Sequence, residues 1–329
     1  MYEYVYYLTR QIPEGMVSSY GAIATALGDI RASRGVGEAE HLNPTAVVMP
    51  CHRVVYSDGG LGGYGGTGGQ DRKIELLAKE GVNVKDYKIV DFENVLFQDF
   101  KTEYPLKKLR AEQKRLRNKI VLKNNSSVSQ LLRKGGYVAG VDVAYSGWDG
   151  YGACAVMGYP DFELKQVITV KTKVKLPYIP TYLGFREFPV VEELVKKVKK
   201  AQYKPLVYLF DGNGILHPYG MGLASHMGVA LGVPTVGSAK GSLCGDLDKY
   251  PANQGEAGKM VLEGKHIGYG LRSSVKAKKL IYVSPGHQVS KPTALEIVKN
   301  CCKTRIPEPV REAHRAATSS KLNDSVSTA

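Results

Sequence analysis

The chain is 329 residues long, with 43% hydrophobic residues and a formal net charge of +14, a length that suits about two domains of roughly 100–200 residues each. No apolar run approaches the ~20 residues of a membrane span, so no membrane partner is expected. Five cysteines (Cys51, Cys154, Cys244, Cys301 and Cys302) are an odd number without metal-binding spacing; they read as reduced thiols, which excludes a disulfide-stapled secreted scaffold and predicts a cytoplasmic protein.

The charge is unevenly divided. Residues 1–98 hold 9 Lys/Arg against 12 Asp/Glu, whereas residues 99–329 hold 36 against 19. The second part therefore suits a polyanion, nucleic acid first.

Taken in order, Tyr2 to Gln11 is a lead-in, and Ser18-Ser19 caps a predicted helix from Tyr20 to Leu27. Gly28-Asp29 breaks it, and a second helix is predicted from Arg31 to Glu40. The pair has the spacing of a helix-turn-helix, whose second helix enters a groove, although such pairs also occur without DNA. A short apolar run, Thr45 to Met49, reads as a strand ending in Pro50-Cys51-His52-Arg53. Strand neighbours point to opposite faces, and a lone Cys is most often a core thiol. A Gly-rich loop, Gly59 to Gly69, and a helix, Asp71 to Glu80, complete the module.

SSYGAIATALG, SRGVG, NP, PCHRVV, GGYGG and LLAKEG follow one another here. Together they resemble the DNA-binding and active-site domain of O6-alkylguanine-DNA alkyltransferases over residues 3–85. The resemblance implies a mainly α winged helix-turn-helix domain that flips an alkylated guanine from the duplex. The alkyl group then passes irreversibly to a cysteine, with no cofactor. By position, Cys51 is the acceptor, His52 its base through a water, and Glu80 the group that orients His52. A thiol of pKa ~8.5 needs such help at neutral pH. Arg34 would fill the space left by the base, Tyr20 would press on the phosphate that rotates, and Asn43 would brace the turn after the recognition helix.

Residues 94–103 read as a linker. LKKLRAEQKRLRNKI then has a helical apolar period, and residues 101–123 carry 9 Lys/Arg and 2 Asp/Glu. Such a helix either tracks a phosphate backbone or shows a solvated face. Three strands follow, Tyr137 to Tyr145, Gly150 to Tyr159 and Leu164 to Val174, as a predicted antiparallel meander. Asp142 stands in mid-strand, which is costly unless it is paired or binds metal. Pro177-Tyr178-Ile179-Pro180 forms a stiff loop, and Phe185-Arg186-Glu187 opens a helix with Glu187 in its first turn. Leu206 to Phe210 is a buried strand ending in Asp211; a Gly-shaped loop, a helix to Leu231, a strand from Val233 to Val236 and Lys240 follow. Asp211-Gly212 alone would most often be a turn cap. Acids on a first strand, a following helix and a fourth strand suit a ribonuclease H-like arrangement holding Mg²⁺.

GVDVAY, PYIP followed by FRE, DGNGILHPYGMGLASHMGVALGVPTVGSAK, and YVSPGH with RIPEPVREAH resemble endonuclease V over residues 104–318. The resemblance implies a ribonuclease H-like α/β domain with a mixed central sheet that nicks DNA near deoxyinosine. Mg²⁺ is the implied cofactor, with Mn²⁺ able to substitute. Asp142, Glu187 and Asp211 would form the metal site. His217 and Lys240 would position the scissile phosphate or attacking water, and His287 would be a further active-site His. Tyr178 and Ile179, in one loop with Pro180, would wedge into the strand. The backbone at Gly214 to Leu216 and Gly237 to Ala239 would line a hypoxanthine pocket. Thr181 departs from the family's usual Gly, and Tyr219 from its usual basic residue.

The expectation is a two-domain, monomeric DNA-repair protein, α/β overall. Its parts are residues 1–93, a linker at 94–103, residues 104–318, and a disordered tail at 319–329. Its partner is double-stranded DNA with O6-alkylguanine or deoxyinosine. Two alternatives stay open: a first module that only senses lesions and guides the nuclease, and a nuclease acting mainly on inosine in RNA.

Overall fold

The computed structural model describes residues 1–327, with the backbone alone for the last three. It divides into two compact units, Met1–Ala111 with Lys175–Tyr182, and Glu112–Val174 with the chain from Leu183 onward. The division falls inside the basic helix rather than at residues 94–103.

The first unit is mainly helical. It contains α1 (Tyr2–Thr9), β1 (Ser18–Ser19), α2 (Tyr20–Leu27), α3 (Ser33–His41), β2 (Val54–Val55), α4 (Gly69–Lys79), β3 (Val84–Lys85), β4 (Lys88–Ile89) and α5 (Phe92–Val95). The basic helix α6 (Pro105–Arg117) begins here. β1 runs parallel to β2, and β3 pairs with β4 as a small hairpin. Ser19 caps α2, its Oγ accepting from the Ala22 amide at 2.9 Å. Gly28 ends the helix at φ 108°, a left-handed conformation that costs glycine little. Val17, Val55, Leu61, Leu77, Val82 and Ile89 form a buried cluster under the hairpin.

Residues 45–49 are not the expected strand. Asn43 closes a turn there, with Oδ1 accepting from the Thr45 amide at 3.0 Å and Nδ2 donating to the Met49 carbonyl at 3.2 Å. The chain therefore enters Cys51–Arg53 as a 3-10 turn, so Cys51 and His52 do not alternate as strand neighbours would.

The second unit is a nine-stranded sheet with helices on both faces. Its elements are α7 (Ser126–Lys134), β5 (Gly136–Ser146), β6 (Asp149–Tyr159), β7 (Leu164–Lys173), α8 (Leu183–Lys200), β8 (Val207–Phe210), α9 (Leu223–Leu231), β9 (Thr235–Ala239), β10 (Asp246–Leu247), β11 (Ala257–Leu262), β12 (Lys265–Leu271), β13 (Ile281–His287), α10 (Lys291–Asn300) and α11 (Glu308–Ser327). The strand order is β10-β11-β12-β13-β9-β8-β5-β6-β7. β5, β8 and β9 are parallel and the other neighbours antiparallel, so the sheet is mixed.

The two-residue period of β5 and β8 sorts their side chains between two cores. Ala139, Val141, Tyr208 and Phe210 pack with α8 and α9 through Val191, Leu194 and Met227. Val138, Val207 and Leu209 pack on the other face with Val128, Ile297 and Val310. The C-terminal ends of β5, β8 and β9 share one sheet edge. The expected disordered tail is instead the end of α11 as far as Ser327. Asp324 helps hold it, accepting from Tyr151 Oη at 2.6 Å and Lys171 Nζ at 2.7 Å. Residues 328 and 329 lie outside the described residues.

Candidate active sites

Cys51 lines a cavity of about 650 Å³ together with Tyr20, Arg34, Glu40 and Tyr64. It is 4% exposed. Burial pushes its thiol pKa up, and neighbouring Glu40 adds to that, while Asn43 and Lys73 oppose it. A thiol so placed needs a base. His52 supplies one: its Nε2 lies 2.8 Å from Glu80 Oε1, and its buried Nδ1 has no protein partner. Donating its Nε2–H to Glu80 in a hydrogen bond leaves Nδ1 as the free lone pair. Burial lowers the His52 pKa, against the pull of Glu80, so the ring is held neutral. Arg53 grips both oxygens of Glu80, Nε donating to Oε2 and Nη2 to Oε1, each at 2.8 Å.

Tyr20 starts α2 and packs on the backbone at Gly62, where a Cβ would meet its hydroxyl at 2.9 Å. Arg34 is exposed in the first turn of α3. Two residues of this site were not singled out by the sequence. Glu40 is 5% exposed and accepts from Thr9 Oγ1 at 2.5 Å, and burial raises its pKa to about 7. Lys73, fully buried, donates to the carbonyls of Val54, Leu61 and Gly63 at 2.6, 2.5 and 3.2 Å. It thereby pins the loop that walls the cavity. Burial lowers its pKa to about 8. Neither position lies in a recognisable motif, and only the fold brings them to Cys51.

The segment Lys175–Tyr182 belongs to the first unit. Here the structure corrects the wedge expectation in part. Tyr178 is 42% exposed, but Ile179 is 1% exposed, and Pro180 is half-buried. Ile179 packs on the bare backbone of Gly35, where a Cβ would come within 3.0 Å of its Cγ1. Glu38 fixes the segment by accepting from the Tyr178 amide at 3.1 Å and Tyr2 Oη at 2.7 Å. Thr181 adopts φ 71°, a conformation that glycine takes easily, and its hydroxyl accepts from Arg110 Nη2 at 2.8 Å.

In the second unit, Asp142, Asp211 and His314 each bring a ligand atom within 4.8 Å of the other two. Asp142 comes from β5, Asp211 follows β8, and His314 lies on α11. His314 Nδ1 is 2.6 Å from Asp142 Oδ2. Glu187 stands in the second turn of α8 rather than the first, because the helix begins at Leu183. It is fully buried. Burial pushes its pKa up to about 8, with added repulsion from Asp142 and Asp211. Burial also raises the pKa of Asp142, with Asp211 adding to it. Two carboxyls and an imidazole therefore form the set of donors that a divalent cation would suit, while Glu187, expected among the ligands, stands outside that group and acts on it by charge. Lys240, just past β9, places Nζ 2.5 Å from Asp211 Oδ2.

His217 is 3% exposed in the loop after Asp211, its Nδ1 accepting from the Tyr219 amide at 3.2 Å. That loop folds onto β9: a Cβ at Gly237 would lie 2.4 Å from the Gly214 amide nitrogen. His287 does not join the acids. β13 runs antiparallel to β9, so His287 faces Thr235 at the start of β9, whereas Lys240 follows the end of β9. Its Nδ1 accepts from the Val121 amide at 3.3 Å. His314 is the histidine at the acids; its motif, RIPEPVREAH, was visible, but nothing in the motif itself marks the histidine for that role.

Fold and sites together define one class: an endonuclease V-like α/β unit joined to a mostly helical alkyltransferase DNA-binding unit. Residues 1–82 match the family model of the 6-O-methylguanine DNA methyltransferase DNA-binding domain, and residues 114–315 match that of endonuclease V. The chain is 32% identical to a bifunctional methyltransferase/endonuclease of Picrophilus torridus, over 98% of each chain. A second such protein, from Thermoplasma volcanium, is 38% identical over 72% of this chain and 68% of its own. Among solved structures, human endonuclease V superposes with TM-score 0.61 at 29% identity, over 67% of this chain and 99% of its own. Ciona intestinalis endonuclease V, in complex with a 24mer DNA containing an inosine followed by a ribo-adenosine, gives 0.60 at 30% identity, over 66% and 98%. The chain belongs to the bifunctional methyltransferase/endonuclease family, with a dual function in DNA repair. No helix among the described residues is long and apolar enough to cross a membrane.

Proposed function

We propose that Cys51 accepts an alkyl group from O6-alkylguanine in double-stranded DNA, and that the cluster around Asp142 and Asp211 serves to nick a strand near deoxyinosine. The observation that carries the nuclease half is the meeting of Asp142, Asp211 and His314 from three separate elements. For the transferase half it is the His52–Glu80 pair beside a cavity-lining thiol.

In the transferase, His52 Nδ1 takes the Cys51 proton through a water. The sulfur forms a bond to the alkyl carbon as the carbon–O6 bond breaks, and its electron pair returns to the guanine, which takes the proton. Glu80 stabilises the imidazolium that forms meanwhile. Arg34 and Tyr20 flank the same cavity, positions suited to supporting a duplex with a base removed from its stack. Asn43 holds the turn that leads into Cys51.

In the nuclease, Asp142, Asp211 and His314, with Glu187 behind them, would hold Mg²⁺ or Mn²⁺; when bound, such an ion acidifies a water and stabilises a leaving oxygen. Lys240 places a positive charge where a scissile phosphate would lie, and His217 lies in the adjacent loop. Water adds to phosphorus, a P–O bond breaks, and the leaving oxygen gains a proton. Tyr178 is free to meet a strand, whereas Ile179 must first leave Gly35. Both sites are complete in one chain, which supports a monomer as the working form, and five unpaired thiols suit the cytoplasm.

Paired cleavage of deoxyinosine DNA and inosine RNA, in Mg²⁺, Mn²⁺ or chelator, tests the nuclease reading. Faster cutting of DNA with either metal is expected. Preference for RNA, or cutting in chelator, would overturn it.

A further inference from the structure

A second cavity in the second unit, of about 500 Å³, lies away from the acids. Ile120, Leu122, Ile215 and Ile267 give it an apolar lining, and Arg117, Lys265 and Lys291 bring positive charge to it. Its volume is in the range of small-ligand pockets. The three cations are held differently. Lys291 Nζ donates to the His266 carbonyl at 2.9 Å, which fixes the ammonium at the wall. Arg117 lies along the loop at Gly220, where a Cβ would meet its Nε at 2.8 Å. Lys265 is exposed at the start of β12. Among the described residues, no carboxylate forms an ion pair with any of them. Asp248 is the acid that acts on this corner, and it acts on His266, while its Oδ1 accepts from the Lys259 amide at 2.7 Å.

The cavity's position ties it to the nuclease site. β12 is antiparallel to β13, and β13 to β9, so Lys265 lies toward the His287 end of the sheet, opposite Lys240. One loop spans the two places. It leaves the acid cluster at Asp211 and reaches the cavity at Ile215 and Gly220, with His217 between them. Unpaired cations over an apolar lining suit a phosphate carrying a flat, weakly polar ring, which is the chemistry of a nucleotide.

We propose that this cavity seats a nucleotide of the strand being cut, its phosphate held by Arg117, Lys265 and Lys291 and its base against the isoleucines. This deepens the nuclease reading by adding a strand contact beyond the acids.

The test uses the full chain in chelator, with binding of a labelled 20-nucleotide single strand measured against salt for wild type, R117E/K265E and R117K/K265R. The expected result is binding weakened ~10-fold or more in the charge-reversed protein, a salt slope lower by about one to two, and near-normal binding in the conservative variant. With deoxyinosine substrate and Mg²⁺, KM should rise while kcat stays within about twofold. Superimposable salt curves, or a fall in kcat alone, would overturn the proposal. Inosine monophosphate is the second arm. If it binds and R117E/K265E abolishes that, while strand binding is unchanged, the cavity serves a free nucleotide and the strand assignment is wrong. A wild type that binds strands and loses them on charge reversal but cuts nothing supports the contact and refutes the nuclease reading separately.

Discussion

His314 Nδ1 lies 2.6 Å from Asp142 Oδ2, across 172 residues of sequence. The pair completes a group of donors with Asp211. Replacing His314 with Ala should lower nicking by roughly 100-fold or more, since even residues supporting a metal ligand cost 10–100-fold. Alkyl transfer to Cys51 should be unchanged. Normal nicking by H314A would show that the histidine is incidental to the site.

Gly140 sets where the helix bearing His314 can sit. A Cβ at Gly140 would fall 2.0 Å from both the carbonyl carbon and oxygen of Pro309 and 2.4 Å from the Val310 amide nitrogen. These are backbone atoms, so G140A must push α11 away from β5. Overpacking of this kind costs about 1–3 kcal/mol. Thermal melting and nicking assays should show a lower Tm and slower cutting, although Gly140 touches no substrate; an unchanged melt would contradict the packing described.

Much of this was legible in the sequence because the chemistry sits in contiguous motifs. Asp142 and Asp211 end up where an acid in mid-strand and an acid at a strand end would be placed. What was not legible depends on distance in the chain. His287 and His314 both lie in motifs, and only the antiparallel register of β13 sends His287 to the far edge. Thr45 to Met49 has the apolar look of a strand, but Asn43 satisfies the backbone there and turns it. Glu40 and Lys73 belong to amphipathic helices and look like solvated charges until the fold buries them.

Glu40 carries a pH signature. Thr9 Oγ1 lies 3.0 Å from the Val5 carbonyl and 2.5 Å from Glu40 Oε1, and a hydroxyl has one hydrogen to give. That hydrogen goes to Glu40 Oε1, and the buried Oε2, which has no hydrogen-bond partner, is the oxygen left to carry the proton. With the folded pKa raised from 4.5 to about 7 by burial, the folded state keeps a proton that the unfolded chain releases. This contribution to stability is intact below pH 4.5, falls as pH rises toward 7, and is flat above. Its size is about 3 kcal/mol. Denaturant unfolding of wild type and E40Q between pH 4.5 and 8 should show this slope in wild type and its loss in the variant. Parallel curves would contradict a protonated Glu40.

Glu80 acts on Cys51 through His52, so its loss should be partly repaired by alkali. E80Q should slow single-turnover alkyl transfer at neutral pH by roughly 100-fold, the scale of a positioned base. The deficit should narrow as pH rises, because the thiol then ionises without help. A deficit independent of pH would point to a merely structural Glu80.

The most direct measurement treats wild type, C51S and D211A with one duplex carrying both O6-methylguanine and deoxyinosine, in Mg²⁺. Intact protein mass and strand nicking are read from the same tube. Wild type should gain the mass of one methyl group, mapped to Cys51, and should nick the duplex. C51S should nick without gaining mass, and D211A should gain mass without nicking. Loss of both activities in either variant, or a wild type whose mass does not change, would contradict two independent repair chemistries on one chain.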